Sequence, residues 1–243
     1  MKSYKLKFRA FGNSAILIEW PQRIVKEILE DIRIFSDKIE GKNIKEIQEL
    51  NFVYASLLII YNSDLISFSE LKQKLQLLYD EDNSALQRHH ALWEIPVCYD
   101  KEFGIDLDFL SEEKKLSIDE IISLHSGNIY TVYGIGFLPG FLYLGGLKKA
   151  LHIPRRSTPR LEVPRGAIAI GGDQTGIYPQ HTPGGWHILG KTPVSLFNPR
   201  SEKPCFATPG DKIKFRPVSR AEFELIQIAE NTEVYELKKE LYD

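Results

Sequence analysis

At 243 residues the chain has room for one large domain or two small ones. A composition of 43% hydrophobic and 26% charged residues is that of a globular protein, and a net charge of −2 provides no field favouring nucleic acid or an anionic membrane. Two cysteines, Cys98 and Cys205, are too few for a disulfide scaffold or a cysteine-rich zinc site, and point to a reduced, cytoplasmic setting. The opening stretch MKSYKLKFRAFGNS has no apolar core of signal-peptide length. The longest apolar run, roughly Phe52 to Tyr61, is broken by Ser56 and is too short to span a bilayer.

Proline and glycine divide the chain. Residues 1–90 hold only Pro21, Gly12 and Gly41, whereas 139–217 hold eleven prolines and eleven glycines. The first part therefore suits long regular elements, and the second suits short strands and turns. Lys5–Ala10 and Ala15–Trp20 read as strands. Pro21 is expected to open a helix, because Ile24, Val25, Ile28, Leu29, Ile32, Phe35 and Ile39 recur on one stripe. Strands are expected near 46–53 and 55–61. Ser67-Phe-Ser-Glu70 then signals a capping box, and Leu71, Leu75 and Leu78 continue a second helix. The polar stretch Tyr79 to His90 reads as a linker. These elements predict a small α+β domain over 1–85.

The remainder, 86–243, begins with a strand at Trp93–Tyr99. A second capping box, Ser117-Ile-Asp-Glu120, starts a helix that ends near Gly127. Short strands are expected at 130–135, 161–163, 167–171, 186–189, 194–197 and 212–216, which suggests a mainly-β barrel with one or two helices.

Several segments bear on chemistry. Gly185 to Thr192 fits the phosphate-loop pattern G-x-x-x-x-G-K-[ST]. That loop requires a following helix, and Trp186-His-Ile-Leu189 reads as a strand, with Pro193 and Pro199 too closely spaced to leave room for a helix. In Pro154-Arg-Arg-Ser-Thr-Pro-Arg-Leu-Glu-Val-Pro-Arg165, the Pro-Arg pair recurs every five residues. From Lys148 to Arg165 there are six Lys or Arg against one Glu. Guanidinium forks suit carboxylate and phosphate, so the segment is either an anion site or a solvated basic loop. His125 lies on the apolar stripe of Ile118, Ile121 and Ile122, where a histidine usually packs with a ring nitrogen on a backbone partner, and its place near the helix C-terminus favours the charged form. Gly-Gly-Asp-Gln-Thr-Gly, 171–176, lets backbone approach a ligand closely. His152, His181 and His187 lack metal-ligand spacing, so no metal site is expected.

Five motifs fall in an order that resembles a known family: Gly136-Phe-Leu-Pro-Gly-Phe-Leu-Tyr-Leu-Gly145, Pro154-Arg-Arg-Ser-Thr-Pro-Arg160, Val163-Pro, Gln174-Thr-Gly-Ile-Tyr-Pro179 and Thr182-Pro-Gly-Gly-Trp186. Leu124-His-Ser126 and Pro209-Gly-Asp211 also match. The chain is similar to the allophanate hydrolase subunit 1 family, which includes the B subunit of 5-oxoprolinase and the Kip-type inhibitors of sporulation histidine kinases. The resemblance implies that the second domain is a cyclophilin-like β-barrel and that Lys191 is not a phosphate-loop lysine.

The resemblance further implies a non-autonomous subunit of an ATP-dependent 5-oxoprolinase, working with subunits A and C to open 5-oxoproline to L-glutamate. ATP with magnesium would be a co-substrate of the complex, with no cofactor held tightly by this chain. Arg155, Arg156 and Arg160 would bind substrate or phosphate. His125 would serve as acid/base and Gln174 as an orienting partner in the same pocket. The alternative is an inhibitor that docks on a histidine kinase through Phe137, Phe141, Tyr143 and Trp186. Neither nucleic acid nor membrane is an expected partner. The chain departs from the family at Arg165 and Ala167, and Asp106 carries no expected role.

Overall fold

The computed structural model describes residues 4–81 and 90–242. The protein is a sheet-rich mixed α/β structure in two compact units, Met1–Arg88 and His89–Asp243. The expected linker begins inside a helix that runs to Asp80 and ends in a strand that opens at His90, and its middle lies outside the described residues. Among the described residues no helix is long and apolar enough to cross a membrane.

The first unit is an antiparallel sheet with two helices. Its elements are β1 (Lys7–Ala10), β2 (Ala15–Glu19), α1 (Lys26–Gly41), β3 (Ile47–Val53), β4 (Ser56–Tyr61) and α2 (Phe68–Asp80), and the strands lie in the order β1-β2-β4-β3. Period-two alternation buries Ile16 and Ile18 of β2 and Leu57 and Ile59 of β4. Ile28, Leu29, Ile32, Phe35 and Ile39 of α1 and Leu71, Leu75 and Leu78 of α2 are buried at helical spacing. Buried Asp31 is satisfied by Trp20 Nε1 and Tyr79 Oη, each donating at 2.6 Å. Helix α1 begins five residues later than the sequence suggests. Val25 is extended and offers no side-chain cap, and Ile24 and Val25 are exposed, so the apolar stripe outruns the helix.

The second unit contains β5 (His90–Val97), α3 (Leu107–Lys114), α4 (Ile118–Ser126), β6 (Ile129–Ile135), β7 (Leu142–Gly145), β8 (Arg160–Val163), β9 (Ala167–Gly171), β10 (Gln174–Ile177), β11 (Thr182–Gly184), β12 (His187–Lys191), β13 (Lys212–Pro217), α5 (Arg220–Asn231) and β14 (Lys239–Tyr242). Strand β14 pairs with β5, which runs parallel to β13. The sheet then continues antiparallel through β6, β7, β10, β9 and β12. Just past β5, Cys98 exchanges two 2.9 Å hydrogen bonds with Lys191 at the end of β12. Strands β8 and β11 form a separate pair.

Residues 194–197 are not a strand. The backbone N–H of Val194 donates to Thr192 Oγ1 and that of Ser195 to the Glu230 carboxylate, so side chains take the bonds a ladder would need. One isolated bridge, Phe197 to Cys205, is all that forms there.

Two apolar clusters lie on opposite faces of β9 and β12. Ile168, Ile170 and Leu189 join Val97, Leu107, Leu110, Ile121, Val132 and Phe215. Ala167, Ala169, Ile188 and Trp186 join Phe141, Val163 and Tyr178. The pairing of β12 with β9 slips by one residue between Ile188 and Gly190.

His125 is fully buried, with its ring stacked on Phe215 at 4.6 Å. Its protonation follows from its partners. Thr175 Oγ1 donates to the Ala169 carbonyl, so it accepts from His125 Nε2–H at 2.9 Å. Nδ1 then accepts from Tyr99 Oη at 2.8 Å. Burial pushes the imidazole pKa down to about 3. A neutral ring with both nitrogens engaged holds α4 to the sheet, and its helix C-terminal position does not keep it charged. The residue expected as an acid/base is thus fully buried, with both ring nitrogens engaged inside the protein.

The depressed pKa means that the unfolded chain takes up the proton first as pH falls from 6.5 toward about 3. The stability this residue contributes is complete above 6.5 and is lost across that window. The stability gap between the wild type and His125→Phe is expected to narrow by about 1.4 kcal/mol per pH unit there, read by urea unfolding at a series of pH values.

Candidate functional site

The arginine segment is pinned at two points. Ile153 forms a bridge with Gly172, in the turn between β9 and β10, and the Arg156 N–H donates to the Gly185 carbonyl at 2.7 Å. Prolines 154 and 159 keep the intervening chain extended or turned rather than helical. Arg160 then enters β8 opposite Gly184.

A residue that carried no sequence expectation organises the arginines. Asp106, 3% exposed, sits at the start of α3 without capping it. Its Oδ1 accepts from Arg160 Nη2 at 2.6 Å and, more distantly, from Arg156 Nη1 at 3.5 Å. Its Oδ2 accepts from the Ile188 N–H at 2.7 Å, and its own N–H donates to the Ile188 carbonyl at 3.1 Å. A carboxylate buried this deeply requires such partners, and here it has both charge and hydrogen bonds.

Arg155 is placed differently. It is exposed and has no carboxylate partner among the described residues. Its guanidinium lies 5.5 Å from the centroid of the Trp186 ring. Trp186 fits because Gly171 and Gly176 lack side chains: a Cβ at either position would lie within 3 Å of the indole. The 171–176 stretch expected to admit a ligand is thus filled by the protein's own tryptophan, and Gly172, at φ 67°, makes the turn.

A cleft of about 470 Å³ adjoins these groups, lined by Phe109, Glu113, Arg155, Arg156, Thr158 and His187 among others. The structure therefore gathers the three arginines but leaves out His125, which is in the core, and Gln174, a buried residue of β10 that does not line the cleft. The four aromatics proposed as an interface do form a chain of ring contacts, at 5.7, 4.8 and 6.4 Å from Phe137 through Phe141 and Tyr143 to Trp186. Phe141 and Trp186 are only 2% and 3% exposed and belong to an apolar cluster. Phe137 is exposed, in a left-handed conformation at φ 65°.

The phosphate-loop pattern lies largely in β12, and no helix follows it until Arg220. Lys191 Nζ rests over the Phe103 ring at 5.4 Å. A larger groove, about 940 Å³, lies beside Trp93, Cys205 and Phe206. Its buried carboxylate, Asp211, is engaged by the N–H groups of Ala91 and Thr208 and by Trp93 Nε1.

The chain is similar to several known proteins. Residues 6–207 match the family described as carboxyltransferase domain, subdomain C and D. The B subunit of 5-oxoprolinase from Bacillus subtilis is 32% identical over 229 residues, 90% of this chain and 95% of that protein. The solved protein TTHA0988 superposes with a TM-score of 0.74 at 30% identity, over 84% of this chain, which spans only 40% of its length. The K. lactis urea amidolyase superposes at 0.84 over 99% of this chain and 16% of its own, and at 19% identity it shows the fold alone. The chain belongs to this carboxyltransferase-domain family, in the group of the 5-oxoprolinase B subunit and allophanate hydrolase subunit 1.

Removing the Asp106 carboxylate leaves two partly buried arginines opposing each other. Asp106→Ala is expected to destabilise the fold by about 3 kcal/mol in denaturant titration, and a double-mutant cycle with Arg160→Met should recover part of that loss.

Proposed function

We infer that the chain is the B subunit of an ATP-dependent 5-oxoprolinase, acting with subunits A and C in the cytoplasm to open 5-oxoproline to L-glutamate, and inactive alone. The relatives support the subunit assignment. Arg155 is the observation that carries the chemical part. It is an exposed guanidinium braced on Trp186 at a cleft, next to two arginines already committed to Asp106. A carboxylate gains a fork-shaped charge-assisted contact there without breaking an existing ion pair. Arg160 acts as a positioning residue, since its charge is committed to Asp106. The circuit of β5, β13, β6, β7, β10, β9 and β12, meeting at Cys98 and Lys191, is read as a cyclophilin-like barrel whose rigidity holds this site.

A lactam carbonyl is a poor electrophile because of amide resonance, and ATP supplies the activation. In this reading ATP with magnesium is a co-substrate of the complex, and the one nucleotide-like motif of this chain lies in a strand. The contribution read for this chain is to bind and orient the substrate carboxylate. The kinase-docking alternative is not favoured, since it needs Phe141 and Trp186 at the surface.

The test is glutamate release from 5-oxoproline and ATP by this chain alone, by subunits A and C alone, and by all three. Activity is expected only in the full mixture. Arg155→Gln should raise KM for 5-oxoproline by roughly ten- to a hundredfold. Full activity of A and C without this chain would overturn the reading.

A further inference from the structure

Strand β12 pairs with β9 along one edge, and among the described residues no strand pairs with the other. Residues 98–106 lie along that second edge instead. The Cys98 N–H donates to the Lys191 carbonyl and the Lys191 N–H to the Cys98 carbonyl, each at 2.9 Å. At the far end, Asp106 meets Ile188 in a similar two-way manner: its N–H donates to the Ile188 carbonyl, and its Oδ2 accepts from the Ile188 N–H. Backbone groups that an unpaired edge would leave open are thereby satisfied. Between the two ends, Gly104 is buried against β12: a Cβ on it would collide with the Leu189 carbonyl oxygen and the Leu107 side chain. Gly190 gives the same clearance from the strand's side, where a Cβ would lie 2.6 Å from the Cys98 carbonyl oxygen. On the outside, the half-buried Phe103 ring packs on Phe223 at 4.7 Å and lies beneath the Lys191 and Arg220 cations at 5.4 and 4.6 Å.

The spacing between this segment and β12 decides where Asp106 stands. A carboxylate that meets Arg160 at 2.6 Å and the Ile188 N–H at 2.7 Å has little latitude, because both contacts are short. We propose that residues 98–106 form a strap in place of a strand, fixed at Cys98, and that Gly104 is the positioning residue that seats Asp106 on β12 and so places Arg156 and Arg160. A methyl group at 104 lifts the free end of the strap, because the Leu189 oxygen it meets belongs to the backbone of the sheet and cannot rotate away. Lifting separates Asp106 from Ile188 while Cys98 keeps Lys191. The two arginines then oppose each other with their common carboxylate withdrawn. The proposal goes beyond the reading given above, since it concerns the clasp whatever ligand the site serves.

The experiment is amide hydrogen exchange of the full chain, followed residue by residue by NMR. In Gly104→Ala the Asp106 and Ile188 amides are expected to exchange at least roughly tenfold faster than in the wild type, with Cys98 and Lys191 unchanged. Phe103→Leu stays apolar but takes the ring from beneath the two cations. It should give the same pattern to a smaller degree, and it carries the test if Gly104→Ala does not fold. Ile105→Ala, at an exposed position of the strap, should leave all four amides as they are. A general loss of stability would speed all four alike, and that result, or no change in any of them, would overturn the proposal. The three-subunit assay adds an arm that does rest on the function given above. There Gly104→Ala should raise KM for 5-oxoproline at unchanged kcat, and a fall in kcat at unchanged KM would overturn the positioning role. An inactive wild-type mixture would sink the functional reading and leave the exchange result standing.

Discussion

The Asp106 carboxylate carries a full charge to a position almost without water, and the site takes its shape from what that charge requires. Helix α3, the arginine segment and β12 lie far apart in sequence. Asp106 joins them because the same carboxylate meets Arg160, Arg156 and the Ile188 N–H. Each partner compensates part of the desolvation, and loss of any one leaves the others with an imbalance. Two of three neighbouring arginines are thereby spent on structure. The third, Arg155, has no carboxylate partner among the described residues, and its guanidinium lies over Trp186.

The two histidines of the second unit show how environment separates similar side chains. His125 and His187 are both buried and both have lowered pKa values. His125 has a donor and an acceptor inside the protein and is complete. His187 has one partner, a carbonyl, and its other nitrogen is left over beside a cleft. The difference lies in the count of partners each ring finds inside the protein.

Much of the architecture was legible where local chemistry specifies it. The capping boxes at Ser67 and Ser117 marked α2 and α4 with their first residues, and both boxes form. The same signal stood in Ser219-Arg-Ala-Glu222 and would have revealed α5, whose cap it makes. Strands β7 and β10 were hidden by glycines, which in this fold clear space for Tyr133 and Trp186 rather than mark loops. The Pro-Arg repeat located the cations of the site. Asp106 stayed invisible because its partners lie 50, 54 and 82 residues away, and a single aspartate in a loop has no spacing to betray it. His125 showed its place through its apolar stripe, and its neutral state is a tertiary property.

Strand β12 serves two sides of the sheet at once. Trp186, which leads into it, and Ile188 enter the cluster beneath Arg155, while Leu189 enters the other. A one-residue slip of β12 against β9 would exchange these faces, turning Leu189 toward the cluster that now holds Ile188. The strand therefore tolerates replacement of single side chains more readily than a shift of register.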